Sequence, residues 1–209
     1  MEKKPRIAII DYGMGNIFSV QNALVYLGYD SVISNKVGDI ENADRLILPG
    51  VGAFSVGMQR LEKFGLVELL EDQVVKGKKP ILGICLGAQL FARKSYEGGE
   101  FPGLGWIDAE VVRIEPKDKK LKIPHIGWND VQIVNPSVLF EGISEPNFYF
   151  VHSYHVRCKD RRLVTSEFEY GGNFTASVES GDIYGAQFHP EKSQSSGLKL
   201  LKNFVEKTR

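Results

Sequence analysis

Three times in the first half of the chain, a strand-length apolar run ends in a Gly-rich junction and gives way to a segment of helical length. The run Arg6 to Ile10 ends in DYGMGN and leads into Asn16 to Leu27. RLILP at 45–49 ends in PGVGAF, followed by a helix-length segment to about Lys76, and PILGI at 80–84 ends in CLGAQ, followed by LGAQLFARK. Repeated βα units bury both faces of a mostly parallel sheet under helices, and sites in such sheets gather at the carboxyl ends of the strands. The second half changes period. IDAEVVRI, NDVQIV, NFYFVHSYHV, RLVTSEF, NFTASVE and DIYGAQF are short, β-branched or aromatic, and separated by turn residues, which predicts mainly antiparallel strands. Ser196 to Lys207 sets Leu198, Leu201, Phe204 and Val205 on one face at helical spacing, a closing helix packed on the sheet. The expected fold is α/β: a central, mostly parallel sheet flanked by helices, with an additional antiparallel region, and residues 1–209 forming a single domain.

Composition narrows the function. Lys plus Arg equals Asp plus Glu at 26 each, which removes the electrostatic basis for general nucleic-acid or membrane binding. Only two cysteines occur, Cys85 and Cys158, in different contexts, so a disulfide scaffold is not expected and a reducing compartment is. The start, MEKKPRIAIID, has an apolar run of only four residues, IAII, too short for a signal-peptide core or a membrane span. A cytoplasmic protein is expected.

The densest chemistry lies in GICLG at 83–87, where a buried-strand run ends at a Cys with Gly two residues away on either side. In the serine version of this pattern the nucleophile sits on a strained strand-to-helix turn, and flanking side chains would crowd it. Cys85 would then project toward substrate, and the Leu86 N–H at the start of the next helix would face a developing oxyanion. A free Cys is also a common small core residue; the paired glycines favour the nucleophile for Cys85, whereas Cys158, in HVRCKDR, lacks them.

His189 follows an apolar strand in GAQFHPEKS, with Glu191 two residues on. In an extended segment residues two apart face the same side, and Pro190 restrains the residue before it, so the pair can converge. A carboxylate beside an imidazole fixes its tautomer and stabilises the cation it forms. Alone, His-x-Glu also describes many surface pairs. The other histidines are a control: His125 follows a Pro in a loop, and His152 and His155, three apart on one expected strand, face opposite sides, so no metal site is read. GMGN lacks the full G-x-G-x-x-G pattern and there is no Walker lysine, so no cofactor is expected.

With GICLGAQ and QFHPEKS in place, the chain resembles the class I, triad-type glutamine amidotransferases, whose pattern is GxCxGxQ followed much later by FHPE. The resemblance implies Cys85 as nucleophile, His189 as base and acid, and Glu191 as orienting group. It further implies that Gly52, Gln89, Ser153 and Tyr154 hold L-glutamine, and that Val51, in a PGVG loop where many relatives carry PGG, gives the second oxyanion donor beside Leu86. IIDYGMGN, LPGVGAF, PHIGWN and FYFVHSYH make the chain most similar, within that family, to the glutaminase subunits of imidazole glycerol phosphate synthase. That narrower likeness implies a heterodimer with a (β/α)8-barrel cyclase subunit that takes the ammonia in histidine biosynthesis. It puts Asn16, Trp128 and Lys192 around the mouth of the site, facing that partner. Ala88, where relatives often carry Met, changes core size only.

Three other readings stay open on sequence alone. A Cys hydrolase of related fold would share the elbow but has less need of FHPE, PHIGWN and HSYH. A catalytically silent regulatory subunit would be expected to have lost Cys85, His189 or Glu191, and all three are present. A paralogous glutaminase could pass its ammonia to another acceptor, such as a sugar.

Overall fold

The structure, a computed structural model, describes residues 4–208; Met1–Lys3 of the charged start and Arg209 at the end of the expected domain lie outside the described residues. The chain opens with strand β1 (Ile7–Ile10), helix α1 (Ile17–Tyr26), strand β2 (Ser31–Ser34), helix α2 (Val37–Glu41) and strand β3 (Arg45–Gly50). Helices α3 (Phe54–Lys63) and α4 (Leu66–Leu70), the latter continued by a π-helical turn over Glu71–Lys76, lead to strand β4 (Ile81–Cys85) and helix α5 (Leu86–Leu90). Then come strands β5 (Ala92–Ser95), β6 (Phe101–Pro102), β7 (Ile107–Arg113), β8 (His125–Ile133), β9 (Asn147–His152) and β10 (Tyr154–Cys158). Strands β11 (Val164–Glu169), β12 (Asn173–Ser180) and β13 (Ile183–Ala186) precede the closing helix α6 (Gln194–Lys207).

The main sheet runs β2-β1-β3-β4-β13-β12-β11-β8-β9. Pairing is parallel from β2 through β13 and antiparallel from β13 through β9. The fold is therefore α/β, with the expected parallel core and antiparallel extension. Every residue of β1 and β4 is buried, as unbroken apolar strands covered on both faces must be. Alternation divides their side chains between two cores. Ala8, Ile10, Leu46, Leu48 and Ile81 pack with Phe54, Leu61, Leu66 and Leu86 on one face. Ile7, Ile9, Ile47, Leu82 and Ile84 pack with Val20 and Leu24 of α1 and Leu201 and Phe204 of α6 on the other.

Several local expectations need correction. DIYGAQF pairs antiparallel to β12 as expected but also parallel to β4, and Ser31–Ser34, not assigned from the sequence, forms the edge strand β2. LGAQLFARK is not one helix: α5 ends at Leu90, and the chain turns into β5, which joins a smaller sheet ordered β10-β7-β5-β6. NFYFVHSYHV is not one strand either, because Ser153 divides it into β9 of the main sheet and β10 of the smaller one. His152 and His155 therefore sit on different strands, both buried, and His125 opens β8 instead of lying in a loop.

Candidate active site

Cys85 ends β4 at the carboxyl edge of the sheet, with φ +54° and ψ −112°. Both flanking glycines are required by packing. A Cβ on Gly83 would press into the Ala88 backbone and the Phe91 ring, and one on Gly87 would collide with the Leu48 carbonyl of β3. The close approach of β3, β4 and α5 thus forces a turn that directs the thiol outward. Cys85 is 7% exposed; Gln187 Nε2 donates to its sulfur at 3.7 Å, and the Val151 carbonyl lies 3.9 Å from it.

His189 follows β13, the strand beside β4. Its Nδ1 lies 2.8 Å from Glu191 Oε1, and the two side chains are 2% and 1% exposed. The pair converges as expected, but not through an extended segment: Pro190 opens a 3-10 turn over Pro190–Lys192, which swings the carboxylate back beneath the ring. Ser193 fixes that turn, donating to the His189 carbonyl at 2.6 Å and accepting the Tyr149 N–H at 3.0 Å, while the His189 N–H donates to the Tyr149 carbonyl at 2.9 Å. Burial opposes a charge on His189, but Cys85 and Glu191 outweigh it and raise the imidazole to about 9. With Nδ1 engaged by Glu191, Nε2 is buried with no hydrogen-bond partner.

Beside the sulfur lies a cavity of about 310 Å³. Val51, Gly52, Cys85, Leu86, Gln89, Ser153 and Tyr154, all singled out in the sequence, line it together. Gln89 is buried, and its Nε2 donates to the Tyr154 carbonyl at 3.0 Å and to Gln187 Oε1 at 2.9 Å. Val51 is 43% exposed, and Gly52 takes φ +111°, a conformation that disfavours any side chain. His189 and Glu191 are not among the residues that line the cavity.

Sequence reasoning missed three of the cavity's polar neighbours. Glu97 lines it with a carboxylate that accepts the Phe54 N–H at 2.8 Å; nothing in its Gly-rich loop marks it. Gln187 was in view within QFHPEKS but carried no assigned role. His152 also lines the wall, and its Nδ1 lies 2.8 Å from the Tyr154 carbonyl. A carbonyl only accepts, so His152 carries its proton on Nδ1, and its Nε2 accepts from His125 Nδ1 at 3.3 Å. Burial lowers His152 to about 3 and His125 to about 4, so both stay neutral.

Of the residues expected at a partner face, Trp128 and Lys192 meet across one ring. Trp128, 45% exposed, stands edge-on to Tyr149 at 6.0 Å, and Lys192 Nζ lies 5.8 Å over the same ring. Asn16 is exposed at the start of α1, the helix that lies against the Pro190–Lys192 turn. Tyr149, which joins Trp128 and Lys192 to the His189 backbone, was not singled out; its cross-strand register with Trp128 is visible only once β8 and β9 are paired.

The family model for class-I glutamine amidotransferases matches residues 8–208. Imidazole glycerol phosphate synthase subunit HisH 1 of Campylobacter jejuni (strain RM1221) is 50% identical over 200 residues, covering 95% of this chain and 98% of that protein. Subunit HisH 2 of Pseudomonas aeruginosa is 50% identical over 201 residues, covering 96% and 98%. A crystal structure of a glutamine amidotransferase superposes with a TM-score of 0.74 at 22% identity, covering 95% of this chain and 97% of that one, a likeness of fold. The chain is a member of the class-I glutamine amidotransferase family.

Proposed function

We propose that the chain is the glutaminase subunit of an imidazole glycerol phosphate synthase, working in the cytoplasm as one domain and using a Cys85–His189–Glu191 triad. The observation that carries the reading is the strained Cys85 elbow opening on a cavity beside an imidazole that Glu191 orients at 2.8 Å. With the thiol proton already held on His189, whose imidazole is raised to about 9, the sulfur attacks the side-chain amide carbon of L-glutamine. The carbonyl electron pair moves to oxygen, where Leu86 N–H and Val51 N–H receive it. As it re-forms the carbonyl, the carbon–nitrogen bond breaks and His189 protonates the departing ammonia, leaving a thioester. Water then attacks, giving its proton to His189; the carbon–sulfur bond breaks, the sulfur leaves with its electron pair beside the protonated His189 as at the start, and glutamate departs. Every step is a proton or acyl transfer that these groups carry themselves. Gln89, Gly52 and the Ser153–Tyr154 backbone hold the substrate, and the Glu97 carboxylate complements its α-ammonium group.

The partner in this reading is a (β/α)8-barrel cyclase that docks over Asn16, Trp128 and Lys192 and receives the ammonia. The test mixes the chain with the cyclase of the same genome, its nucleotide substrate and amide-nitrogen-labelled glutamine. Label should enter the imidazole product, Cys85→Ser should end both transfer and glutamate release, and Cys158→Ser should keep them. A second reading is favoured by the relatives' names, where HisH 1 and HisH 2 carry copy numbers. In it the same glutaminase chemistry feeds a different acceptor enzyme, and label would then fail to enter imidazole glycerol phosphate although Cys85-dependent glutamate release persists with another partner.

A further inference from the structure

Among the described residues, a buried hydroxyl beside the site takes no part in the chemistry above. Tyr12 lies in the DYGMGN junction just beyond β1, fully buried, and its hydroxyl has no hydrogen-bond partner. An unpaired buried hydroxyl costs about 1–3 kcal/mol, and a phenylalanine would fill the same space without that cost. The hydroxyl lies against Gly50, the last residue of β3: a Cβ on Gly50 would run into it, and would also stand 2.8 Å from the Gly87 nitrogen and 2.9 Å from Leu86 Cβ. It is thus one peptide away from Val51. Val51 and Gly52 line the cavity and Tyr12 does not, so the hydroxyl sits on the buried side of the loop. Burial, and then the nearby Cys85, push the phenol well above its ordinary range, so it remains an O–H donor.

In a trans peptide the N–H and C=O point in opposite directions. Turning the Val51 N–H into the cavity therefore turns the Gly50 carbonyl inward, toward the hydroxyl. We propose that Tyr12 is a positioning residue for the oxyanion loop, its hydroxyl donating to the Gly50 carbonyl when the Gly50–Val51 peptide aims its N–H at the oxyanion. The loop has the freedom to turn: Val51 is exposed, Gly52 tolerates positive φ, and Gly50 has no side chain to obstruct the peptide. Because the bond exists only in the aiming orientation, it stabilises the oxyanion state and leaves glutamine affinity alone. The inference rests on the glutaminase reading above.

The test is Tyr12→Phe, assayed in complex with the cyclase. The kcat for glutamine hydrolysis should fall about tenfold, with KM within about twofold, as the loss of one hydrogen bond made only in the transition state requires. Inactivation by a diazoketone analogue of glutamine, whose carbonyl is polarised at the oxyanion position, should slow in parallel. Alkylation of Cys85 by iodoacetamide, which forms no oxyanion, should keep its wild-type rate; a merely structural role would displace the sulfur and slow both reagents. The variant should melt no lower than wild type, since it loses an oxygen that had no partner. An unchanged kcat overturns the proposal, as does equal slowing of the two reagents. A variant that melts several degrees lower or does not fold means that the hydroxyl holds a resting-state bond, and overturns it too. Failure of the glutaminase reading is distinguishable, because the wild-type complex would then release no glutamate from glutamine.

Discussion

His189 joins the packing of the site to its protonation. Its ring is nearly sealed from solvent, yet Glu191 on one nitrogen and the neighbouring Cys85 hold its proton to about 9, against an ordinary 6.5. The other three histidines run the opposite way: burial pushes His125 and His155 to about 4 and His152 to about 3. The signs follow from linkage. A raised folded-state value means that the stability His189 contributes is fully present below pH 6.5 and is lost as pH rises through about 9. Lowered values mean that the stability contributed by the other three is present above pH 6.5 and is lost as pH falls toward 4. Histidine ring-proton NMR between pH 5 and 10 should show one resonance titrating near 9 and three that stay neutral. In Glu191→Gln the high value should fall, because one of the two groups raising it has lost its charge. A midpoint near 6.5 for His189 would mean that Cys85 and Glu191 do not hold its proton.

At the scale of elements, the elbow depends on how closely β3, β4 and α5 approach. Gly87→Ala sets a Cβ against the Leu48 carbonyl, a backbone atom in the middle of a buried sheet that cannot move aside. Overpacking of this kind costs about 1–3 kcal/mol or more, so urea denaturation should show a loss of that size, or the protein should be insoluble. Gly38→Ala, where a Cβ meets nothing within 4 Å, serves as the neutral control. The two glycines around Cys85 were legible because a strained turn leaves a fixed spacing in the sequence. The parallel strands were legible because burial on both faces makes them continuously apolar. LGAQLFARK misled because its residues suit a helix as far as Leu90, after which Ala92–Ser95 is drawn into a ladder by β7, a partner distant in sequence. NFYFVHSYHV misled for a related reason: β9 and β10 are alike in composition, and only their separate partners, β8 and β7, break them apart at Ser153. The spacing of His189 and Glu191 was readable, but the 3-10 turn that closes one on the other was not, since Ser193 pins it through Tyr149, a residue of another strand.

Across the whole molecule, one route joins the exposed face to the chemistry. Trp128 and Lys192 flank Tyr149, whose carbonyl accepts the His189 N–H, and α1, headed by Asn16, leans on the turn that carries Lys192. A partner that grips this face touches the backbone that holds His189, the base of the proposed mechanism. The other movable part, the Val51 loop, lies at the cavity mouth, where β-branched Val51 prefers extended geometry between glycines that allow the peptides around it to pivot. Free ammonia is wasted unless an acceptor is ready, so a subunit that aims Val51 N–H only when docked avoids that loss, provided the partner binds the aimed state more tightly. The prediction is that the isolated chain hydrolyses glutamine slowly and that its barrel partner with bound nucleotide raises the rate by roughly a hundredfold or more, the worth of one well-placed oxyanion donor. Trp128→Ala and Lys192→Ala should each weaken the activation, while leaving the reaction of Cys85 with iodoacetamide in the isolated chain unchanged. Stopped assays of glutamate release, with and without partner and nucleotide, decide it. An isolated chain that already works at the partnered rate would remove any gating role from Val51, and activation that survives both substitutions would move the docking face elsewhere.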